Sequence, residues 1–254
     1  MTADEYLYQI LRREAVDTSS TSPVRSVQSI IQPTIQRWAG NQLDYVMPSG
    51  SFAKGTGNRS GTDIDLFVSL TGSTTNTLKE IYESLSDALN KAGYTPRRQN
   101  VSLNITVNGY SVDLVPAKRQ DTYSQDHSLY RRKADTWTKT NVAKHIAYVQ
   151  QSGFVNECRL IKLWRMQKRL DFPSFYVELS VINALSGRRY AGGLASNVLE
   201  ALGYLRDSLA TTRIIDPANT NNIISDDLTS SEKAVVASAA RISAIAKTWE
   251  EIIK

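Results

Sequence analysis

The chain reads as an α+β protein of two lobes, a mixed β-sheet with attendant helices followed by an all-helical region. Three observations lead there. Between Asp44 and Pro116 the apolar residues follow strand patterns around a single helical stretch. Inside that span Asn108-Gly109 separates two apolar runs, the strongest short hairpin signal a sequence carries. Beyond Pro116 apolar residues recur at helical spacing almost to the end. We place the lobes at 1–120, sheet and N-terminal helices, and 121–254, helical.

In chain order, Tyr6, Ile10, Leu11 and Ala15 mark a helix over 4–16, stopped by the Thr18–Pro23 run. Val27, Ile30, Ile31, Ile35 and Trp38 mark a second over 24–38, which Pro33 is expected to kink or divide. Tyr45-Val46-Met47 is a short strand entering Gly50-Ser51, and Asp63 to Leu70 a second strand. Leu78, Ile81, Tyr82, Leu85 and Leu89 form a helix ending near Gly93. Strands over 101–107 and 110–115 flank the Asn108-Gly109 turn. Helices are then expected over about 140–151, 156–170, 174–186, 193–209 and 230–253. Thr229 and Glu232 are spaced as a capping box for the last, with Val235, Ile242, Ile245, Trp249 and Ile252 as its buried stripe.

The 254 residues are 41% hydrophobic and 22% charged, ordinary for a soluble globular enzyme with a core in each lobe. A net charge of +5 suits a protein that handles phosphates without demanding a nucleic-acid partner. Cys158 is the single cysteine, which excludes an intrachain disulfide and a cysteine-rich zinc site and points to a reducing compartment. The opening Met1–Glu5 is acidic, and nothing approaches the ~18 apolar residues of a membrane span. A cytoplasmic protein with no membrane association is expected.

The chemistry lies in the first lobe. Asp63 and Asp65 stand two apart on a strand whose Ile64, Leu66, Phe67 and Val68 are apolar, so both carboxylates leave one face. Asp113 lies mid-strand between Val112 and Leu114. If the two strands are neighbours, three carboxylates converge. Such a set serves two divalent ions ~3.5–4 Å apart, the arrangement that aligns an attacking oxygen with a leaving phosphate. All-oxygen donors point to Mg2+, with Mn2+ as a substitute. Gly50-Ser51 opens a turn in which glycine permits close backbone approach and N–H groups face an anion, and the Phe52–Ser60 stretch reads as a loop around a triphosphate. Arg159, Lys162, Arg165 and Arg169 form a basic ridge on the 156–170 helix beside its packed face. His127 and His145 are too far apart for a zinc site. The basic clusters Arg97-Arg98, Lys118-Arg119 and Arg131–Lys133 read as solvated loops.

Gly50-Ser51, then Asp63-Ile64-Asp65, then Val112-Asp113-Leu114 resembles the polymerase-β-like nucleotidyltransferases. Leu160–Trp164, Pro173–Tyr176 and Ile215–Ile223 are similar to the branch holding oligoadenylate synthetase, cyclic GMP-AMP synthase and the bacterial cyclic-oligonucleotide synthases of anti-phage defence. The resemblance spans Gly50 to Ile223 and implies a two-lobed nucleotidyltransferase with its active site in the cleft between the lobes. It makes Asp63, Asp65 and Asp113 the metal-binding catalytic residues, with Asp113 the general base. Lys162 is implied to reach the triphosphate, Ser174 to hydrogen-bond it, Phe175 to stack on the base where relatives often carry Tyr, and Asn222 to touch a nucleotide. The implied substrates are NTPs, ATP among them; a protein activator is compatible with the resemblance, and nucleic acid is not required. The product would be a cyclic or short linear oligonucleotide messenger, released with pyrophosphate. Two alternatives stay open: terminal transfer onto RNA 3′ ends, tRNA included, or a small molecule, and a catalytically silent nucleotide sensor.

Overall fold

The computed structural model describes residues 1–61, 63–187 and 192–254. It forms two compact units that are not consecutive along the chain: residues 17–53 with 63–145, and residues 1–16 with 54–62 and 146–254. The expected division at 120 falls between strands of one sheet.

The elements are α1 (Ala3–Arg13), α2 (Pro23–Ala39), β1 (Leu43–Pro48), α3 (Gly50–Lys54), β2 (Ile64–Leu70), α4 (Leu78–Lys91), β3 (Arg97–Arg98), β4 (Leu103–Val107) and β5 (Tyr110–Arg119). There follow β6 (His127–Arg131), β7 (Thr136–Thr140), α5 (Val142–Gln151), α6 (Val155–Gln167), α7 (Ser174–Leu185) and α8 (Leu194–Asp207). The chain closes with β8 (Ile215–Asp216), β9 (Asn219–Ile223), α9 (Ser230–Ala244) and α10 (Trp249–Ile252).

One mixed sheet runs β1-β2-β5-β4-β3, and β6 joins β5 at the far end, with β7 beside it. β2 and β5 are parallel; the other pairs are antiparallel. β4 and β5 meet through Asn108 (φ 49°) and Gly109 (φ 82°), the left-handed pair that a two-residue hairpin requires. The side chains alternate. Ile64, Leu66 and Val68 of β2, Val112 and Leu114 of β5 and Leu103, Ile105 and Val107 of β4 share one buried cluster with Val27, Ile31 and Ile35 of α2 and Tyr82, Leu85 and Leu89 of α4. Asp65, Asp113 and Asn104 lie at the intervening positions and so leave the other face. α2 runs through Pro33 as one helix. Pro33 is exposed, so the carbonyl it leaves without a helical donor is open to water.

The second unit is mainly helical. α1, α6, α7, α8 and α9 gather around Leu7, Leu160, Trp164, Tyr176, Val177, Val198, Leu202 and Val236. α1 belongs here, and not with the sheet as expected, because its Leu7, Ile10 and Leu11 enter this core. Arg159 fixes that attachment by donating to the carbonyls of Leu11 (3.0 Å), Glu14 (2.9 Å) and Gly57 (3.1 Å).

Two further expectations fail. The stretch after Pro116 is not wholly helical: β6 and β7 form a hairpin, and β8 and β9 a second. The stripe assigned to the last helix is also wrong. The Thr229/Glu232 capping box forms, but α9 ends at Ala244 and buries Val236, Ala240 and Ser243. Val235, Ile242 and Ile245 are 59%, 64% and 79% exposed. Small residues let α9 lie close, which leaves its larger apolar residues outside; Ile252 is buried as expected.

Chemical denaturation tests that correction. Ile242→Ser should change stability by no more than about 0.5 kcal/mol, and Leu202→Ala, in the core beneath, should cost about 2–5 kcal/mol.

Candidate active site

The parallel register of β2 and β5 makes Asp65 and Asp113 direct partners, so both carboxylates project from one face side by side. Both are half-buried. Asp63 stands just before β2 and is exposed; its neighbour Thr62 lies outside the described residues.

Gly50 has φ 56°, and a Cβ built there would sit 1.8 Å from Oδ2 of Asp65. Only glycine satisfies both the left-handed backbone and that clearance. The close approach it permits is therefore to the Asp65 carboxylate itself. The Ser49 N–H donates to the Asp65 carbonyl at 2.8 Å, which ties this turn to β2. Ser51 follows in α3, half-buried.

Asp113 is held from the neighbouring strand. Asn104 is its antiparallel partner and donates from Nδ2 to Oδ1 at 2.7 Å; Gln99 Nε2 donates to the same oxygen at 3.1 Å. Burial pushes the Asp113 carboxyl above the ordinary range, the Asn104 hydrogen bond pulls it down, and the charge of Asp63 raises it again.

These residues suit a hard divalent cation. Their donors are all carboxylate oxygens, the set that Mg2+ and Mn2+ take. Asp63 already acts electrostatically on Asp113, and a cation would relieve that repulsion. Among the described residues no three acidic, His or Cys side chains are gathered as a ready-made metal cluster. Like charges do not close on one another unaided.

The remaining expected residues lie in the helical unit. Lys162 is buried, with its ammonium donating to Glu178 Oε1 at 3.2 Å and Thr56 Oγ1 at 3.3 Å. Ser174 is exposed at the start of α7 and accepts from Arg165 Nη1 at 3.0 Å. Phe175 is half-buried, its ring centroid 4.8 Å from Lys54 Nζ. Asn222 donates to Asp216 Oδ2 at 3.1 Å within the β8–β9 hairpin. The expected ridge on α6 is not a solvated face. Arg159 and Lys162 turn inward, Arg165 binds the Phe172 carbonyl at 2.6 Å, and Arg169 lies beyond the helix. Nor is the stretch after α3 an open loop: Thr56, Gly57 and Asn58 are buried, and Asn58 donates to the Arg159 carbonyl at 2.8 Å.

Sequence reasoning missed Asn104, Gln99, Lys54, Thr56 and Glu178. Asn104 was within reach, since counting outward from the Asn108-Gly109 turn pairs it with Asp113. Glu178 is the only charged residue of α7, an anomaly in a helix that is otherwise apolar or neutral.

A strand pair that presents adjacent carboxylates beside a glycine turn, with a helical unit in the same chain, is the architecture of the nucleotidyltransferases. Over residues 1–152 the chain matches the Second Messenger Oligonucleotide or Dinucleotide Synthetase domain, and it belongs to that family of oligonucleotide synthetases. It is 26% identical over 187 residues to a cyclic AMP-AMP-AMP synthase of Escherichia coli MS 115-1, covering 68% of this chain and 58% of that protein. The match thus spans little more than half the length of that relative. The CdnC structure of E. coli MS115-1 with ATP superposes at a TM-score of 0.76, with 21% identity and coverage of 99% of this chain and 97% of the other. CdnC has also been solved in complex with HORMA-deltaN. A cytoplasmic RNA terminal U-transferase shares the fold at a TM-score of 0.66 and 12% identity, over 97% and 94% of the two chains. No helix among the described residues is long and apolar enough to cross a membrane.

Two substitutions test the geometry. Gly50→Ala should lower stability by about 1 kcal/mol or more, read by denaturation, because the left-handed backbone disfavours alanine and its methyl collides with Asp65. Asn104→Ala removes a hydrogen bond that favours the ionised form of Asp113. The Asp113 midpoint should move to higher pH, read by carboxyl NMR titration without divalent ions.

Proposed function

We propose that the chain is a metal-dependent nucleotidyltransferase that joins nucleoside triphosphates, ATP among them, into a cyclic or short linear oligonucleotide messenger. The observation that carries this is the Asp65–Asp113 partnership, with Asp63 at the head of the same strand, in a chain of the oligonucleotide synthetase family. When bound at these carboxylates, two Mg2+ ions would supply charge neutralisation and in-line alignment of the reacting oxygens.

The protein's own residues supply the rest. A ribose hydroxyl oxygen of one nucleotide forms a bond to the α-phosphorus of another. The bond from that phosphorus to the bridging oxygen breaks, and pyrophosphate leaves with the electron pair. The hydroxyl proton passes to Asp113, the assigned general base. Gly50 leaves room for the Asp65 carboxylate, and Gln99 and Asn104 orient Asp113. In the helical unit Lys162 and Ser174 are assigned to the triphosphate, Phe175 to the base, and Asn222 to the ordering of the β8–β9 hairpin. A protein activator is part of the proposal, on the strength of the CdnC complex with HORMA-deltaN.

Terminal transfer to RNA is the second reading, favoured by the fold shared with the RNA terminal U-transferase. One experiment separates them: purified protein with Mg2+ and labelled NTPs, singly and mixed, with and without tRNA, the products analysed by mass spectrometry after phosphatase. Messenger synthesis requires a phosphatase-resistant small nucleotide. Label confined to tRNA would support terminal transfer, and nucleotide binding without pyrophosphate release, with candidate activators added, would indicate a silent sensor. Asp65→Asn and Asp113→Asn should each lower turnover by roughly a thousandfold, the equivalent of about 4 kcal/mol of lost charge stabilisation.

A further inference from the structure

Glu178 is fully buried in the middle of α7, and three donors converge on its carboxylate. Lys54 Nζ bonds to Oε2; Thr56 Oγ1 at 2.5 Å and Lys162 Nζ at 3.2 Å bond to Oε1. The two lysine side chains are only 9% and 8% exposed. Burying charge is costly unless it is paired and hydrogen-bonded, and here one carboxylate answers two ammonium groups. Lys54 and Lys162 act electrostatically on Glu178; Glu178 acts in turn on Arg165 and Cys158, Asp171 also acts on Arg165, and Glu157 also acts on Cys158. The Cys158 thiol is pushed up strongly by burial and stays neutral. The three bonded side chains, one anion and two cations, therefore keep a spare positive charge. That charge is held away from bulk water, where it acts on an anion with little screening.

We propose that Glu178 is a positioning residue of the nucleotide site, whose carboxylate fixes the Lys54 and Lys162 ammonium groups so that their spare positive charge is presented to a polyphosphate. The inference rests on the reading of this chain as a nucleotide-binding enzyme and assigns a role to a residue that reading does not use. Burial pulls Lys162 toward its neutral form, the charge of Glu178 opposes that, and Lys54 adds to it. Without Glu178 the two ammonium groups repel each other in a dry setting, so one must leave the cluster or lose its proton. Either outcome removes one of the two fixed ammonium groups that a phosphate would meet. Thr56 adds only a neutral hydrogen bond and sets geometry.

The test uses the full chain and a probe without a base, inorganic tripolyphosphate with Mg2+, measured by calorimetry. Wild-type protein should bind it, and Glu178→Gln should bind about tenfold more weakly, the loss of one charge-assisted contact. In turnover the change should fall on KM for the NTP, with kcat within about threefold of wild type, a split that general damage to the fold would not give. If Glu178→Gln does not fold, Lys54→Met decides, because it leaves Glu178 and Lys162 paired one to one with no charge to spare. Its affinity should fall by about fivefold or more. Wild-type protein that fails to bind tripolyphosphate, or variants that bind it as wild type does, would overturn the proposal. Turnover is scored separately. Tripolyphosphate binding lost in Glu178→Gln, from a protein that makes no oligonucleotide, would support this role and remove the proposed activity. Oligonucleotide synthesis by a protein whose Glu178→Gln variant binds the probe normally would do the reverse.

Discussion

Two carboxylates that are direct partners across a parallel strand pair cannot turn away from each other, and β2 and β5 hold Asp65 and Asp113 in that relation. The rest of the sheet unit can be followed from this constraint. The opposite faces of the same strands are apolar and covered by α2 and α4, so a slip of one residue would drive both acids into the core. The register is thus set by hydrophobic burial, and the pairing of like charges is its consequence. Gly50 leaves room for one carboxylate, and Asn104 and Gln99 orient the other. Repulsion that would be a defect in a structural sheet becomes useful where a divalent cation is to bind.

The helical unit shows the complementary logic. There the charges are nearly sealed from water, and one carboxylate lies between two lysines. Such a cluster is weak as a source of stability, because desolvation offsets most of the attraction. Its value lies in placing charge. The first unit gathers negative charge on a half-exposed sheet face, and the second holds positive charge behind α6 and α7.

The sheet and the carboxylates were legible in the sequence because local signals fixed them. Asn108-Gly109 fixed a turn, the turn fixed the β4–β5 register, and the alternation of Ile64, Leu66 and Val68 fixed which face Asp65 takes. The β6–β7 hairpin was not legible. Its turn passes through Asp135 at φ 46° with no glycine, and Thr136-Trp137-Thr138-Lys139-Thr140 is polar, with Trp137 more than half exposed. The placement of α1 depends on Arg159, well over a hundred residues away. The environment of Lys162 was missed for a similar reason. Periodicity placed it on a basic ridge, but its partner Glu178 comes from another helix, and helical spacing carries no information about packing between helices. On α9, alanine and serine formed the packed face, where a reading by hydrophobicity selects Val235, Ile242 and Ile245.

The central claim is that Asp63, Asp65 and Asp113 are a platform for divalent cations, and metal binding tests it most directly. Mn2+ would be titrated into the protein and followed by electron paramagnetic resonance, with a non-hydrolysable triphosphate present to complete the coordination. Two bound ions per chain in the wild-type protein, with binding lost in a folded Asp65→Asn variant, is the expected result. Equal Mn2+ binding by wild type and Asp65→Asn, or no binding by either, would contradict it.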